Sequence, residues 1–358
     1  MSRPVTAEIH TAALRHNLQR VRQLAPQTKV MAVIKADAYG HGLISVARAL
    51  SAADGFGVAE LDEAVALREV GVDKPICLLT GFHHPAELPE VSRYALNPVL
   101  HSPEQVAALF RAELPQPLTV WVKVDSGMHR IGFAPANLKS ILQQLHVAPQ
   151  VKEVRLMSHL ANADDPNDAY TQRQLEIFQN CAATPLPVCS VANSAAVVAW
   201  PDTHFDWVRP GIMLYGASPV KNQSAHALEL QPVMQFNSQL IAVRSLQRGD
   251  AVGYGGTFHC PQDMQVGVVA CGYGDGYPRH AKGGTPVWVS GHEVPLIGRV
   301  SMDMLTVDLR HHPGAQVGDP VQLWGGQVDV DRVAGAAETI AYELFCGVTA
   351  RVPRRVVE

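Results

Sequence analysis

The chain has 358 residues, of which 47% are hydrophobic and 17% charged, a globular composition long enough for one large barrel plus a smaller domain. Lys+Arg at 29 against Asp+Glu at 33 leaves a formal net charge of -4, which excludes the strong electrostatic draw of a nucleic-acid or anionic-membrane partner and leaves a small molecule as the expected one. No apolar run approaches a bilayer span and "MSRPVTAEIHTAALRHNLQRV" lacks a signal-peptide core, so the expected location is the cytoplasm.

In chain order, apolar β-rich runs alternate with helix-period stretches from about residue 28 to 216. "KVMAVIKA" precedes "LISVARALSAA", "GFGVAEL" precedes "DEAVALREVG", "PICLLTG" precedes a His/Pro-rich loop, and "ALNPVLHS" precedes "PEQVAALF". "LTVWVKVDSG" is followed by "PANLKSILQQL" and "VKEVRLMSHLANAD" by "YTQRQLEIFQNCA", with "PLPVCSVANSA" and "FDWVRPGIMLYG" completing the series. About eight strand-to-loop transitions are what a (β/α)8 barrel requires; an open doubly wound sheet is the alternative. Beyond "GASPVKNQSAHALELQP" helical periodicity stops, and short Val/Ile/Leu runs broken by Gly and Pro predict a mostly β domain with one late helix near "DRVAGAAETIAYELFC". The expected fold is therefore α/β: an N-terminal (β/α)8 barrel over 1–219, then a mostly β domain over 220–358 with which the N-terminal segment can pair. The six cysteines form no CxxC pair or Cys/His zinc spacing, so no metal is expected and most should be small buried hydrophobes.

Functional side chains of a βα barrel collect where strands end. Lys35, Arg130 with His129, His159, Asn193 with Ser194, and Arg209 all stand at such ends. Lys35 taken alone reads first as a rim lysine with its ammonium in water, and secondly as a carbonyl-capturing amine whose pKa is lowered by burial beside other cations. The dense "DAYGHG" that follows, with Asp37, Tyr39 and His41 between glycines, favours the second reading. After Arg209, Gly211 and Ile212 can offer backbone N–H groups to a phosphate, with Ser194 and Tyr342 as further hydroxyl donors. A lysine, an arginine and an anion cradle at one mouth point to a phosphorylated aldehyde, pyridoxal 5'-phosphate. In the second domain Tyr254 lies in "VGYGGTF", and "CGYGDGYPR" and "GRVSMDM" are loops of the kind that reach toward a barrel mouth.

"AVIKADAYGHG", "SGMHRIGF", "ANSAA", "RPGIMLYG", "GYGGTF", "GYGDGYPR" and "GRVSMDM" occur in that order, and over essentially its whole length the chain resembles the alanine racemase family. The resemblance implies that Lys35 carries pyridoxal 5'-phosphate covalently and that Tyr254 is the second acid/base. It implies that Tyr39, Ser194, Gly211, Ile212 and Tyr342 hold the phosphate, with Asn193 beside them, that Arg209 faces the pyridine nitrogen, and that His159 lies against the ring. Arg130 and the backbone of Met302 would bind the substrate carboxylate. Tyr273 would gate the entrance, with Arg279 and Asp164 on the path leading in, and Lys123 matches a lysine often carbamylated in the family. A head-to-tail homodimer, with Tyr254, Tyr273 and Met302 supplied by the partner, is implied as well.

Racemisation needs a proton to leave one face of the α-carbon and return to the other, which two opposed bases achieve without either moving far. An arginine at the ring nitrogen is a poor proton donor, so the ring should stay unprotonated and side reactions should be suppressed. The alternatives within this fold are broader-range amino-acid racemases, decarboxylases of basic amino acids and D-amino-acid dehydratases. From another class comes a non-catalytic pyridoxal-phosphate carrier, which would consist of the barrel alone.

Overall fold

The structure is a computed structural model that describes residues 4–181 and 187–358, so the first two residues of the "PLPVCSVANSA" run and the last of "YTQRQLEIFQNCA" lie outside the described residues. β1 (Thr6–His10) leads into the helix Thr11–Leu24, and then the barrel begins. Its strands are β2 (Lys29–Val33), β3 (Gly55–Val58), β4 (Ile76–Leu78), β5 (Asn97–Leu100), β6 (Leu118–Lys123), β7 (Val151–Met157), β8 (Cys189–Asn193) and β9 (Trp207–Arg209). They pair in parallel in sequence order and close where β9 meets β2, with Lys29 opposite Trp207 and Val30 opposite Val208. Each coincides with one of the eight apolar runs, and the barrel rather than the open sheet is what forms.

Apart from β7, which carries Lys152, Glu153 and Arg155, these strands are largely apolar because a barrel strand is covered on both faces, by the helices outside and by the filling inside. Met31, Cys77, Val99, Trp121, Met157 and Trp207 form that filling, with the two indoles edge to face at 6.5 Å. Packed side chains thus close the barrel interior, and the C-terminal strand ends are left to present polar groups. Outside, buried Asn17 in the first helix donates to the carbonyls of Leu214 and Gln231 and accepts the Gln231 N–H at 2.8 Å, which ties the segment leaving β9 to the helix preceding β2.

The second region is built on β10 (Met234–Leu246), β11 (Ala251–Val252), β12 (Phe258–His259), β13 (Met264–Val269), β14 (Pro286–Val289), β15 (His292–Ile297), β16 (Leu305–Asp308), β17 (Pro320–Trp324) and β18 (Arg354–Val357). Strand β10 is 13 residues long and irregular between Leu240 and Ala242, and this lets it pair with β1 and β17 at one end and with β13 at the other. The pairings β10–β13–β16–β15–β14–β17–β10 close a six-membered ring, to which β1 and β18 add as a flank. The N-terminal strand therefore belongs to the β region, although the chain goes on to build the barrel.

One expectation needs correction. The single late helix is two, Val330–Ala336 and Ala341–Gly347, because Glu338 takes the left-handed conformation (φ 54) and Ile340 is extended at the cap of the second. That break matters, because it turns Ala341–Gly347 back onto the barrel mouth. A Cβ on Gly40 would stand 2.4 Å from the Phe345 carbonyl oxygen, so only glycine permits this approach. Arg354 Nε donates to the Gly40 carbonyl at 2.6 Å, a second bond from the β region to the loop after β2.

Candidate active site

Beyond β2 the backbone changes hand. Ala36, Asp37, Ala38 and Tyr39 have φ of 52–55° and ψ of 42–54°, four consecutive L-residues in the left-handed region. Such a conformation costs roughly 1–2 kcal/mol per residue, so it persists only where the surroundings impose it. Asp37 N–H donates to Glu63, the Asp37 carboxylate accepts the Leu43 N–H at 2.8 Å, and the His41 imidazole bonds to the carbonyls of Ala38 and Tyr39. Lys35 stands at the start of this turn, half-buried, its pKa lowered by burial and then by Arg130.

Arg209 is buried and donates to Ser190 Oγ and the Ser158 carbonyl, both at 2.6 Å, to the Val191 carbonyl at 3.2 Å and to His159 Nδ1 at 3.5 Å. All four acceptors are neutral, and burial pushes its pKa down to about 10. Lys123, 8% exposed at the end of β6, is pushed down to about 7 by burial, then by Arg209 and Arg130. His159 lies well below its ordinary value for the same reasons, burial first and Arg209 second, so its imidazole is neutral. Arg130 is exposed on a loop shaped by the Asp125 carboxylate, which accepts the N–H groups of Gly127 and His129. Among the described residues none of Lys35, Lys123, Arg130 and Arg209 is ion-paired with a carboxylate. The mouth is a concentration of uncompensated positive charge.

A second polar cluster gathers around the end of β8 and the segment that follows β9. Ser194 Oγ accepts the Gly211 N–H at 2.7 Å, and Asn193 Oδ1 caps the helix Ser194–Ala199 through the Ala196 N–H at 3.0 Å. A Cβ on Gly211 would come 2.5 Å from the Tyr39 hydroxyl, so glycine is required where that hydroxyl meets the backbone. Tyr39 packs between Tyr215 at 4.7 Å and Tyr342 at 5.7 Å, centroid to centroid, and Ile212 is fully buried at the start of the next turn. Burial pushes the Tyr342 phenol up to about 12 and raises that of Tyr39 well above its usual range, so both are neutral donors. Tyr342 comes from the helix Ala341–Gly347, so the β region completes this cluster within one chain.

Tyr254, Tyr273 and Met302 behave differently. They are 68%, 38% and 53% exposed, and among the described residues no hydrogen bond or ring contact joins their side chains to the barrel mouth. Tyr273 and Met302 are held together, since the Tyr273 N–H donates to the Ser301 carbonyl and the Gly274 N–H to the Met302 carbonyl at 2.8 Å. Arg351 supports both loops through Asp275 at 2.9 Å and through Asp303. Arg279 lies over the Tyr273 ring at 6.0 Å. Asp164 is bound to Lys221 Nζ at 3.1 Å on the barrel side, where its charge raises the Tyr342 pKa.

Three participants were not singled out as site residues from sequence. Ser158 and Ser190 orient Arg209; a signal existed for Ser158, which directly follows β7 like the residues that were chosen, but not for Ser190 near the start of β8. The thiol of Cys346 lies close enough to Lys35 for each to shift the other's pKa, which contact across two regions alone discloses.

The alanine racemase N-terminal domain family matches residues 9–219 and the alanine racemase C-terminal domain family residues 233–356. The chain is 53% identical over 349 residues to the alanine racemase of Nitrosococcus oceani, covering 97% of this chain and 98% of that one. It is 48% identical to the biosynthetic alanine racemase of Escherichia coli K12, with 99% of each covered. Its fold superposes on the biosynthetic alanine racemase of Pseudomonas aeruginosa with a TM-score of 0.98 at 47% identity, covering 99% of this chain and all of that one. For the enzyme of Acinetobacter baumannii the TM-score is 0.92 at 40% identity, with the same coverage. With both halves matched in order and the strand-end chemistry assembled at one mouth, the chain belongs to the alanine racemase family of isomerases.

Proposed function

We propose that the chain interconverts L- and D-alanine with pyridoxal 5'-phosphate held at the barrel mouth, Lys35 and Tyr254 serving opposite faces of the α-carbon. The observation that carries this reading is the half-buried, pKa-lowered Lys35 beside cations that no carboxylate neutralises. An anionic, aldehyde-bearing group satisfies both features, the aldehyde at Lys35 and the phosphate at the cradle. Tyr39, Ser194, Gly211, Ile212 and Tyr342 would hold the phosphate, with Asn193 fixing the helix start beneath it. Arg209 would face the ring nitrogen and His159 the ring itself. When bound, the cofactor supplies an electron-accepting ring that makes the α-proton labile.

The chain's own groups supply the rest. Lys35 Nζ exchanges a proton on one face of the α-carbon and Tyr254 Oη on the other. A phenol acts as a base near neutral pH when cations stabilise its anion, and Arg209 and its neighbours provide that field. Arg209 keeps its proton even at a pKa of about 10, so it offers hydrogen bonds without transferring charge. Arg130 and the Met302 backbone N–H would bind the carboxylate, with Tyr273, Arg279 and Asp164 lining the approach. Lys123 at about 7 is substantially a free amine at neutral pH. Its nitrogen can bond to the carbon of carbon dioxide and release one proton, and the resulting carbamate anion would pair with Arg130. The names of the E. coli and P. aeruginosa relatives support supply of D-alanine as the role.

Because Tyr254, Tyr273 and Met302 are exposed and unattached to their own barrel, we assign them to a partner's site in a head-to-tail homodimer. We also keep the division between barrel and β domain at residue 219.

Decay of the circular-dichroism signal of L-alanine and of D-alanine to one racemic endpoint tests the activity. Replacing Tyr254 with Phe should slow racemisation equally in both directions but slow exchange of the α-hydrogen with solvent deuterium by about 10²-fold or more for one enantiomer beyond the other, while equal residual exchange from both would contradict separate bases. On dilution, activity should fall together with the dimer fraction measured by sedimentation, and a fully active monomer would refute the shared site. Exposure to ¹³C-bicarbonate should give the protein a carbamate carbon resonance that the Lys123→Ala variant lacks.

A further inference from the structure

We propose that His41 is a positioning residue, its Nδ1–H holding the left-handed turn that presents Lys35 and Tyr39. Nδ1 lies 2.8 Å from the Tyr39 carbonyl oxygen and 3.1 Å from that of Ala38. Both partners are acceptors only, so the proton of the neutral ring must sit on Nδ1. The ring is 1% exposed, clasped between Tyr215 at 4.6 Å and Phe345 at 4.9 Å, centroid to centroid, and these come from the segment after β9 and from the helix Ala341–Gly347. Burial holds its pKa down at about 4, so the imidazole stays neutral wherever the enzyme works and its single N–H has one direction.

The other nitrogen carries the decisive clue. Among the described residues Nε2 is buried without a hydrogen-bond partner, a penalty that a phenyl ring of the same shape would avoid. Ring packing alone therefore does not account for a histidine here; the Nδ1–H does. In this turn of four successive left-handed residues the carbonyls of Ala38 and Tyr39 converge on Nδ1, and the Ala38 carbonyl also accepts the His41 backbone N–H at 3.1 Å. His41 supplies a donor there, from the residue directly after Gly40.

This inference rests on the reading of Lys35 as the cofactor lysine, and a pair of variants separates the two. His41→Phe keeps the ring and loses the donor, whereas His41→Asn keeps a donor near the Nδ1 position and loses the ring. The readouts are cofactor loss on dilution of each holoenzyme, followed by visible absorbance, and the unfolding temperature. His41→Phe should release the cofactor about tenfold more readily at near-normal unfolding temperature, and His41→Asn should retain it better despite a lower unfolding temperature. Cofactor retention that merely tracks unfolding temperature in both variants, or is normal in His41→Phe, overturns the inference. If His41→Phe does not fold, His41→Leu against His41→Asn gives the same contrast. Lys35→Ala is the control: survival of the wild-type visible band in it would sink the site reading and this inference together, whereas its loss beside a normal His41→Phe sinks the inference alone.

Discussion

The left-handed turn after β2 is the constraint around which the mouth is organised. At roughly 1–2 kcal/mol per residue, four such residues are a substantial local strain in a protein of ordinary marginal stability. What offsets it is partly local, through His41 and the Asp37–Leu43 bond, and partly comes from outside the turn: Glu63 from the next βα unit, Arg354 from the last strand, and the Phe345 backbone packed against Gly40. The β region is thus part of the device that shapes the lysine loop. Docking of one region on the other therefore shapes the site, and β1 and β18 from the two ends of the chain lie side by side in the same sheet.

Electrostatics makes the second half of the account. Burying Arg209 and Lys123 without carboxylates is unfavourable for the protein alone, and the depressed pKa values express that cost. A structure tolerates it where a ligand of opposite charge repays it. The neutral His159 and the neutral phenols of Tyr39 and Tyr342 add donors without adding charge. Burial first, and then Arg130, lowers the Lys35 pKa, and on the proposed function the same cations would receive the anion of the cofactor.

Much of this was legible in the sequence. Most barrel strands could be read because a strand covered on both faces is largely apolar, and Lys35 and Arg209 stood out because each interrupts that pattern at a strand's end; β7 is the exception, with Lys152, Glu153 and Arg155 ahead of His159. The left-handed turn was not legible: Ala, Asp, Ala and Tyr carry no signature of it, and the groups that hold it range from adjacent His41 through Glu63 to Phe345 and Arg354, hundreds of residues away. The break at Glu338 escaped notice because "GAAETIAYELF" keeps helical composition across a residue whose backbone reverses hand. Asn193 was read as a cofactor neighbour from its motif, while its Oδ1 caps a helix, a bond that only coordinates disclose.

The central claim is that the strained turn delivers Lys35, and no other lysine, to the cofactor. The most direct test is borohydride reduction of the holoenzyme followed by peptide mapping by mass spectrometry. The account expects one pyridoxyl-phosphate adduct, on Lys35 within "AVIKADAYGHG". An adduct on Lys123 or any other lysine, with Lys35 unmodified, would contradict it.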